Sequence, residues 1–348
     1  MASLARAPRT GRARRTGDAP RTDDAPRAGR LRRALLAALV TAAVAVPVAG
    51  AAGPGEVPAP EPVAAVPLTA TGPSAQAAQL DARYAHQRTA LLAAARTAEA
   101  YGAHGRAASL RTMAGPGRSF LAFDGRDGGR AVEVVGDLAR AERIAVLVPG
   151  ADTGLDHYDR LRAGAVALQD ALRRTPGPPA AVLAWLGYRP PATAGTASLT
   201  PGRADQAAPR LRSFVEEIRR LRPAARITLL CHSYGSVVCA RAAAGTTADA
   251  IVLYGSPGTG SDDVAALSTR AAVWAGRSSG DWVADVPHVR VPLLPGTELG
   301  FGADPVDPAF GARRFAAGDG GHSDYLAPGS VPLRNLARIV AGQEPADA

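Results

Sequence analysis

The chain of 348 residues has no lysine, two cysteines, two methionines and only 5% aromatic residues. Without lysine it has no G-x-x-x-x-G-K-[ST] loop, which excludes that mode of phosphate binding. Histidines and carboxylates are not clustered at metal-ligand spacings, so we expect no metal and no cofactor. Two cysteines are also too few for a disulfide framework.

The two cysteines, Cys231 and Cys239, are eight residues apart. We place the first at a strand end and the second in the helix that follows. The interpretation we favour is a pair of buried, reduced thiols that pack as small apolar residues. The alternative is one bridge in an exported protein.

Positive charge is concentrated at the N-terminus. The chain carries a net charge of +9, but ten arginines and three aspartates precede residue 34. Removal of residues 1–52 would leave about +2, so the charge does not belong to a folded face. The composition therefore does not support nucleic-acid binding.

Residues 1–52 have the order of an export signal. A basic stretch is followed by the uncharged run Ala34–Val46, then by small residues with an A-x-A-like cut near Ala49–Ala51. The 19 residues Ala34–Ala52 are also near the lower limit of length for a membrane anchor, which is about 17 residues. Arg32-Arg33 is compatible with a twin-arginine signal. Either interpretation predicts a secreted or extracytoplasmic protein, with membrane contact only through such an anchor.

Composition divides the rest of the chain. Residues 53–75 are rich in proline, which predicts an extended, mobile linker. Residues 76–115 are rich in Ala, Leu, Gln and Arg, which predicts one long or broken helix packed on the domain. Residues 116–342 form the predicted domain, and residues 343–348 a short tail.

Strand signals dominate from residue 118. The runs Arg118–Asp124 and Ala131–Val135 flank a glycine-rich turn, which predicts an antiparallel hairpin. Short apolar runs then alternate with longer amphipathic segments, which predicts a mostly parallel, doubly wound α/β sheet. These runs are Ile144–Val148, Ala181–Leu186, Ile227–Cys231, Ala250–Tyr254 and Ala271–Ala275, followed by a last strand at Arg313–Ala316 and a terminal helix at Pro332–Ala341.

Cys231-His-Ser-Tyr-Gly235 follows a predicted strand and precedes a helix of small residues. This is the context of a nucleophile elbow, whose usual form is G-x-S-x-G. Gly235 matches the second glycine and Cys231 replaces the first. We interpret Ser233 as a nucleophile, and the alternative is an ordinary helix-capping serine.

A serine nucleophile needs a base and an acid that orients the base. Asp281 follows the strand Ala271–Ala275, and His322 lies in a glycine-rich loop after the last strand, which is the order serine, acid, histidine of this elbow type. We predict these two as the acid and the base. The weaker candidates for the acid are Asp285, Asp304, Asp319 and Asp324. Those for the base are His86, His104, His157, His232 and His288. Of these histidines, His232 is expected to face away from the serine, and His288 is the most serious rival of His322.

Acyl transfer also needs donors for the developing oxyanion. The residue after the nucleophile supplies one, here the Tyr234 amide. We assign the other to Ala151, beside Gly150 in the loop after the strand Ile144–Val148. A tight turn without a role in catalysis explains Pro149-Gly150 nearly as well.

Six motifs follow one another along the chain: Pro149-Gly150, Ala184–Tyr188, His232–Gly235, Gly255–Gly258, Pro308–Gly311 and Gly321–Tyr325. Together they resemble an uncharacterised, exported α/β-hydrolase family of high-GC Gram-positive bacteria. The resemblance spans residues 118–342 and implies a serine-hydrolase triad.

The predicted fold is thus an α/β-hydrolase fold with a minimal lid, since few residues separate Tyr254 from Ala271. Tyr188 and Trp282 are predicted to contact the substrate. We expect a serine hydrolase that acts on an ester or thioester with a small or lipid-like acyl group. An acyltransferase and a noncatalytic cell-surface binding module remain alternatives.

Overall fold

The computed structural model describes residues 56–62, 67–70, 72–294 and 297–346. The predicted leader, residues 1–52, lies outside the described residues, as does part of the predicted linker. Within the described ranges, no helix combines the length and the apolar character needed to cross a bilayer.

The N-terminal helical segment is part of the domain. It forms α1 (Pro73–Ala100) and α2 (His104–Met113), separated at Gly102, whose φ of 83° suits glycine. Leu91 of α1 is fully buried, and the buried Arg83 donates to the Leu121 carbonyl oxygen at 2.7 Å. The segment therefore contributes to the core and does not form a separate arm.

The proline-rich stretch differs from its prediction as a mobile tether. Val57 and Leu68 pack against the hydrophobic core. The Ala70 amide donates to Gln79 of α1 at 2.8 Å, and Glu61 lies 3.0 Å from Arg126. These described parts of the predicted linker are therefore in contact with the domain.

The central sheet has eight strands: β1 (Ser119–Asp124), β2 (Arg130–Gly136), β3 (Arg143–Val148), β4 (Ala180–Leu186), β5 (Arg226–His232), β6 (Ala250–Tyr254), β7 (Ala272–Gly276) and β10 (Arg313–Arg314). Their order in the sheet is β1-β2-β4-β3-β5-β6-β7-β10. The pairs β1/β2 and β2/β4 are antiparallel and the other pairs are parallel. The predicted mostly parallel sheet with an N-terminal hairpin is confirmed.

Helices cover both faces of the sheet. The helices after α2 are α3 (Tyr158–Arg174), α4 (Gly202–Leu221), α5 (Gly235–Ala243) and α6 (Val331–Val340). Side chains alternate along β5, because successive strand residues point to opposite faces. Leu229 and Cys231 pack with α4 and α5, whereas Leu230 packs with α3 and α6.

Two features bear on access to the carboxyl ends of the strands. A small antiparallel hairpin, β8 (Val291–Leu294) and β9 (Thr297–Leu299), was not predicted. The connection from β6 to β7 contains only one short 3-10 turn, Ala265–Leu267. This connection is too short to form a large cap, as expected.

Cys231 and Cys239 form a disulfide, so the prediction of reduced thiols was wrong. The chain reverses sharply after β5, which returns the first turns of α5 to the end of the strand. The two Cα atoms are 6.3 Å apart, within bridging distance. Sequence separation alone did not reveal this proximity.

We expect Cys231→Ala/Cys239→Ala to lower the free energy of unfolding by about 2 to 3 kcal/mol, because the bond closes a short loop in the unfolded chain. Thermal unfolding of the double variant measures the loss. Wild-type protein refolded with both thiols reduced is the matched control, because it keeps both sulfur atoms. Equal stability of all three forms would show that the bond contributes nothing.

Candidate active site

Ser233 lies at the sharp bend between β5 and α5. Its φ of 52° is in the left-handed region, where a residue other than glycine is uncommon. The bend is possible because small residues surround it. A Cβ on Gly235 would lie 2.5 Å from the Val148 carbonyl oxygen, and one on Gly150 would lie 2.6 Å from the Ser233 Cβ.

A chain of hydrogen bonds runs from Ser233 to Asp281. Ser233 Oγ lies 2.9 Å from His322 Nε2, and His322 Nδ1 lies 2.9 Å from Asp281 Oδ1. Asp281 follows β7 and His322 follows β10, so both loops leave the sheet at its carboxyl edge, where Ser233 lies. The structure thus brings together the three residues predicted as nucleophile, base and acid.

The Asp281 carboxylate is buried, with 2% of the residue exposed. Oδ1 also accepts the Val283 amide at 2.9 Å, and Oδ2 accepts the Tyr325 hydroxyl at 2.6 Å. Burial by itself would raise the pKa of Asp281, but the hydrogen bonds from His322, Tyr325 and Val283 outweigh it and lower the pKa to about 2. The carboxylate is therefore charged at neutral pH.

Gly255, directly after β6, allows this carboxylate to approach. Its φ is 56°, and a Cβ there would lie 3.0 Å from Asp281 Oδ2 and 3.1 Å from the Tyr325 ring. Sequence reasoning did not select Gly255 or Tyr325 as site residues. Both lie within motifs that carry the family resemblance, and this was the only available signal.

His232 packs beneath His322. We had expected it to face away from the serine, and this prediction was wrong. Its Nε2 lies 2.8 Å from the His322 carbonyl oxygen, and the two ring centroids are 4.6 Å apart. Since a carbonyl oxygen only accepts, the Nε2 of His232 carries the proton. Burial, together with the nearby His322, lowers the pKa of His232 to about 3.

The predicted oxyanion donors are backbone amides that flank the bend. The structure gives neither the Tyr234 amide nor the Ala151 amide an acceptor among the residues it describes. Ala151 borders the cavity beside Ser233. Both amides are thus free to donate to a substrate oxygen, as their predicted role requires.

A cavity of about 660 Å³ opens over Ser233. Trp282 borders it, is half exposed, and lies with its ring 4.8 Å from that of His322. Tyr188 does not border it. The prediction that Tyr188 contacts substrate was wrong, because its ring stacks between Trp185 and Tyr234 in the core and its hydroxyl donates to the Pro149 carbonyl oxygen at 2.7 Å.

The competing candidates lie elsewhere or make other contacts. His288 Nε2 is 3.3 Å from Asp304, and Asp304 also accepts from Arg277 at 2.6 Å. His157 borders the cavity, but it is exposed to solvent and directly precedes α3. Among the candidate bases, only His322 has a hydrogen bond to Ser233 within the described part of the chain.

This arrangement has the parts that acyl transfer requires. The serine hydroxyl can pass its proton to a neighbouring imidazole, and a buried carboxylate can stabilise the imidazolium that results. Two amides next to the hydroxyl can stabilise negative charge on a carbonyl oxygen.

Comparison with known proteins agrees with this geometry. Residues 124–291 match a family model described as alpha/beta hydrolase. Two uncharacterised proteins of Mycobacterium tuberculosis, from strains CDC 1551 and H37Rv, are each 31% identical over 255 residues, an alignment that covers 64% of this chain. The chain spans only 38% of the length of these relatives.

Among solved structures, XC6422 from Xanthomonas campestris is described as an α/β serine hydrolase without a lid. It is 18% identical, with a TM-score of 0.40, and the match covers 65% of this chain and 94% of that one. The order of the sheet strands, the bend at Ser233 and the match of residues 124–291 together show that the chain has an α/β-hydrolase fold.

Proposed function

We propose that this protein is a serine hydrolase of carboxylic esters or thioesters that works through an acyl-enzyme on Ser233. The observation that carries the proposal is the continuous hydrogen-bond chain from Ser233 through His322 to the charged Asp281. A helix-capping serine would not require a histidine and a buried carboxylate, drawn from two other loops, to align with its hydroxyl.

In the first half-reaction, Ser233 Oγ bonds to the substrate carbonyl carbon and its proton moves to His322 Nε2. The negative oxygen accepts from the Tyr234 and Ala151 amides. Collapse of the intermediate breaks the carbon–oxygen or carbon–sulfur ester bond, and the alcohol or thiol leaves with the proton from His322. Water then attacks the acyl-enzyme with His322 as base, which releases the acid and restores Ser233.

Ser233→Ala should lower the turnover of p-nitrophenyl butyrate at least about a thousand-fold, because no covalent intermediate can form. Labelling by a fluorophosphonate probe, located by mass spectrometry, should fall on Ser233 and disappear in the variant. Ser279→Ala is the control, since this exposed serine does not border the cavity. Unchanged turnover in Ser233→Ala would refute the proposal, and an unlabelled Ser233 would favour the noncatalytic alternative.

His232 supports the proposed base in two ways. Its hydrogen bond to the His322 carbonyl oxygen restrains the loop that carries the base. Because its own imidazole stays neutral, it places no positive charge beneath the imidazolium that forms during the reaction. Its other neighbours are the rings of Tyr254 and Tyr325.

The depressed pKa of His232 has a consequence for stability. Between the ordinary value of 6.5 and about 3, the unfolded chain binds a proton at this residue and the folded chain does not. Protonation of His232 therefore does not affect the free energy of unfolding above pH 6.5. Between pH 6.5 and about 3 it lowers the free energy of unfolding, by up to about 1.4 kcal/mol per pH unit.

We expect His232→Gln, which keeps a donor but does not titrate, to lose less stability than wild type between pH 7 and pH 4.5. Urea unfolding across this range measures the difference. The range stops above the ordinary pKa of aspartate, so Asp281 does not contribute. His104→Gln, at an exposed position, should follow the wild-type curve. Parallel curves for wild type and His232→Gln would contradict the assignment.

We also propose that the protein acts outside the cytoplasm, as the predicted leader requires. The Cys231–Cys239 disulfide supports this, because such bonds persist mainly in oxidising compartments. We expect N-terminal sequencing of protein from the culture medium to begin near residues 50–52. An intact N-terminus on protein confined to the cytoplasm would overturn this proposal.

A further inference from the structure

The cavity over Ser233 has a largely apolar interior. Its apolar lining includes Leu161 and Gly164 of α3, and Leu326 and Pro328. Leu326 packs directly on α3, since a Cβ on Gly164 would lie 2.6 Å from Leu326 Cδ1. An acyl group bound to Ser233 through both half-reactions is better accommodated here than a leaving group, which needs an open route to solvent.

Tyr254 is one of the polar residues of the lining, which also include Asp152, His157 and Arg160. It ends β6, borders the cavity and is only 3% exposed. Its carbonyl oxygen accepts the Ser233 amide at 3.0 Å, so the residue is adjacent to the nucleophile. Its ring packs against His232 and Tyr325, with centroid distances of 5.1 and 5.2 Å.

The Tyr254 hydroxyl is unusual among the buried tyrosines near the site. Those of Tyr188, Tyr234 and Tyr325 each donate to an oxygen of the protein, at 2.6 to 2.8 Å. The Tyr254 hydroxyl has no such partner within the described part of the chain. The Tyr254 oxygen is also not among the buried, unpaired side-chain atoms of the described residues, so it is accessible to solvent or to a molecule in the cavity.

The proposed mechanism gives this hydroxyl no task. It makes no hydrogen bond with Ser233, His322 or Asp281 in the described structure. Burial raises the pKa of Tyr254 well above its usual range, with a smaller contribution from Tyr325, so the group remains a neutral donor. Because Tyr254 borders the cavity, a molecule bound there can supply the missing acceptor.

We propose that Tyr254 forms a polar subsite for the acyl part of the substrate, so that the enzyme prefers acyl groups with a hydroxyl or carbonyl oxygen over plain alkyl groups. This inference rests on the proposed ester or thioester hydrolysis and specifies its substrate class. A site that hydrogen-bonds a substrate oxygen discriminates against an analogue that lacks it, because an alkyl chain displaces water from the hydroxyl without replacing its hydrogen bond.

The test compares p-nitrophenyl esters of hexanoic, 3-hydroxyhexanoic and 5-oxohexanoic acids. The readout is the ratio of kcat/KM for each oxygenated ester to that for the hexanoate. In wild type at least one ratio should exceed one, and Tyr254→Phe should lower that ratio about ten-fold, the effect of one hydrogen bond of about 1.4 kcal/mol. A ratio cancels any general effect of the substitution on packing. Tyr101→Phe, at a half-exposed tyrosine directly after α1, should leave it unchanged.

Two further measurements separate failure of the subsite from failure of the enzyme. Fluorophosphonate labelling of Ser233 in Tyr254→Phe reports whether the site is intact. Thermal unfolding with the free acids reports binding without turnover, and 3-hydroxyhexanoate or 5-oxohexanoate should stabilise wild type more than hexanoate does, but not Tyr254→Phe. Equal ratios in wild type and Tyr254→Phe, or equal stabilisation by all the acids, would overturn the subsite. Absent labelling and turnover, with selective stabilisation retained, would overturn only the hydrolase proposal.

Discussion

The left-handed backbone at Ser233 is the constraint on which the rest of the site depends. A residue with a side chain adopts this conformation at a cost, and the surrounding structure has to compensate for it. Gly150 and Gly235 leave room for β3 to approach the bend, and the Ser233 amide is bonded to the end of β6. The disulfide ties the end of β5 to α5 across the same bend.

The disulfide also explains a departure from the usual elbow. Cys231 stands two residues before the serine, where glycine is the common residue, and it is completely buried among side chains of α4 and α5. A cysteine side chain is small enough for this position, and its bond to Cys239 directs the sulfur into the helix that follows. The cysteine at this position thus adds a covalent restraint to the close packing around the bend.

The charge at Asp281 places a second demand on the fold. A carboxylate this deeply buried is stable only if its oxygens are paired, and three donors provide the pairing, one from its own loop and two from the loop that carries His322. One of them, Tyr325, follows His322 by three residues, so the same loop delivers both the imidazole and a donor to the acid. Its hydroxyl also accepts the Ser278 amide, which joins this loop to the one before Asp281.

Much of this could be predicted from the sequence. Apolar periodicity located each end of the eight strands of the central sheet to within two residues, because each strand is a local pattern with turn residues at its ends. The order of Ser233, Asp281 and His322 at predicted strand ends also led to three side chains that the structure brings together. The β8/β9 hairpin was not predicted because its two short strands lie within a long loop and show little alternation of apolar and polar residues.

Contacts between segments that are distant in the sequence were decided only by the tertiary structure. The sequence by itself determined the fold class and the candidate triad, since both depend on local periodicity and on chain order. It did not determine that Cys231 reaches Cys239, that Tyr188 turns into the core, that His232 lies under His322 or that the Tyr254 hydroxyl remains unpaired. Each of these depends on how strands, helices and loops pack in three dimensions, and packing is not encoded in the spacing of residues along the chain.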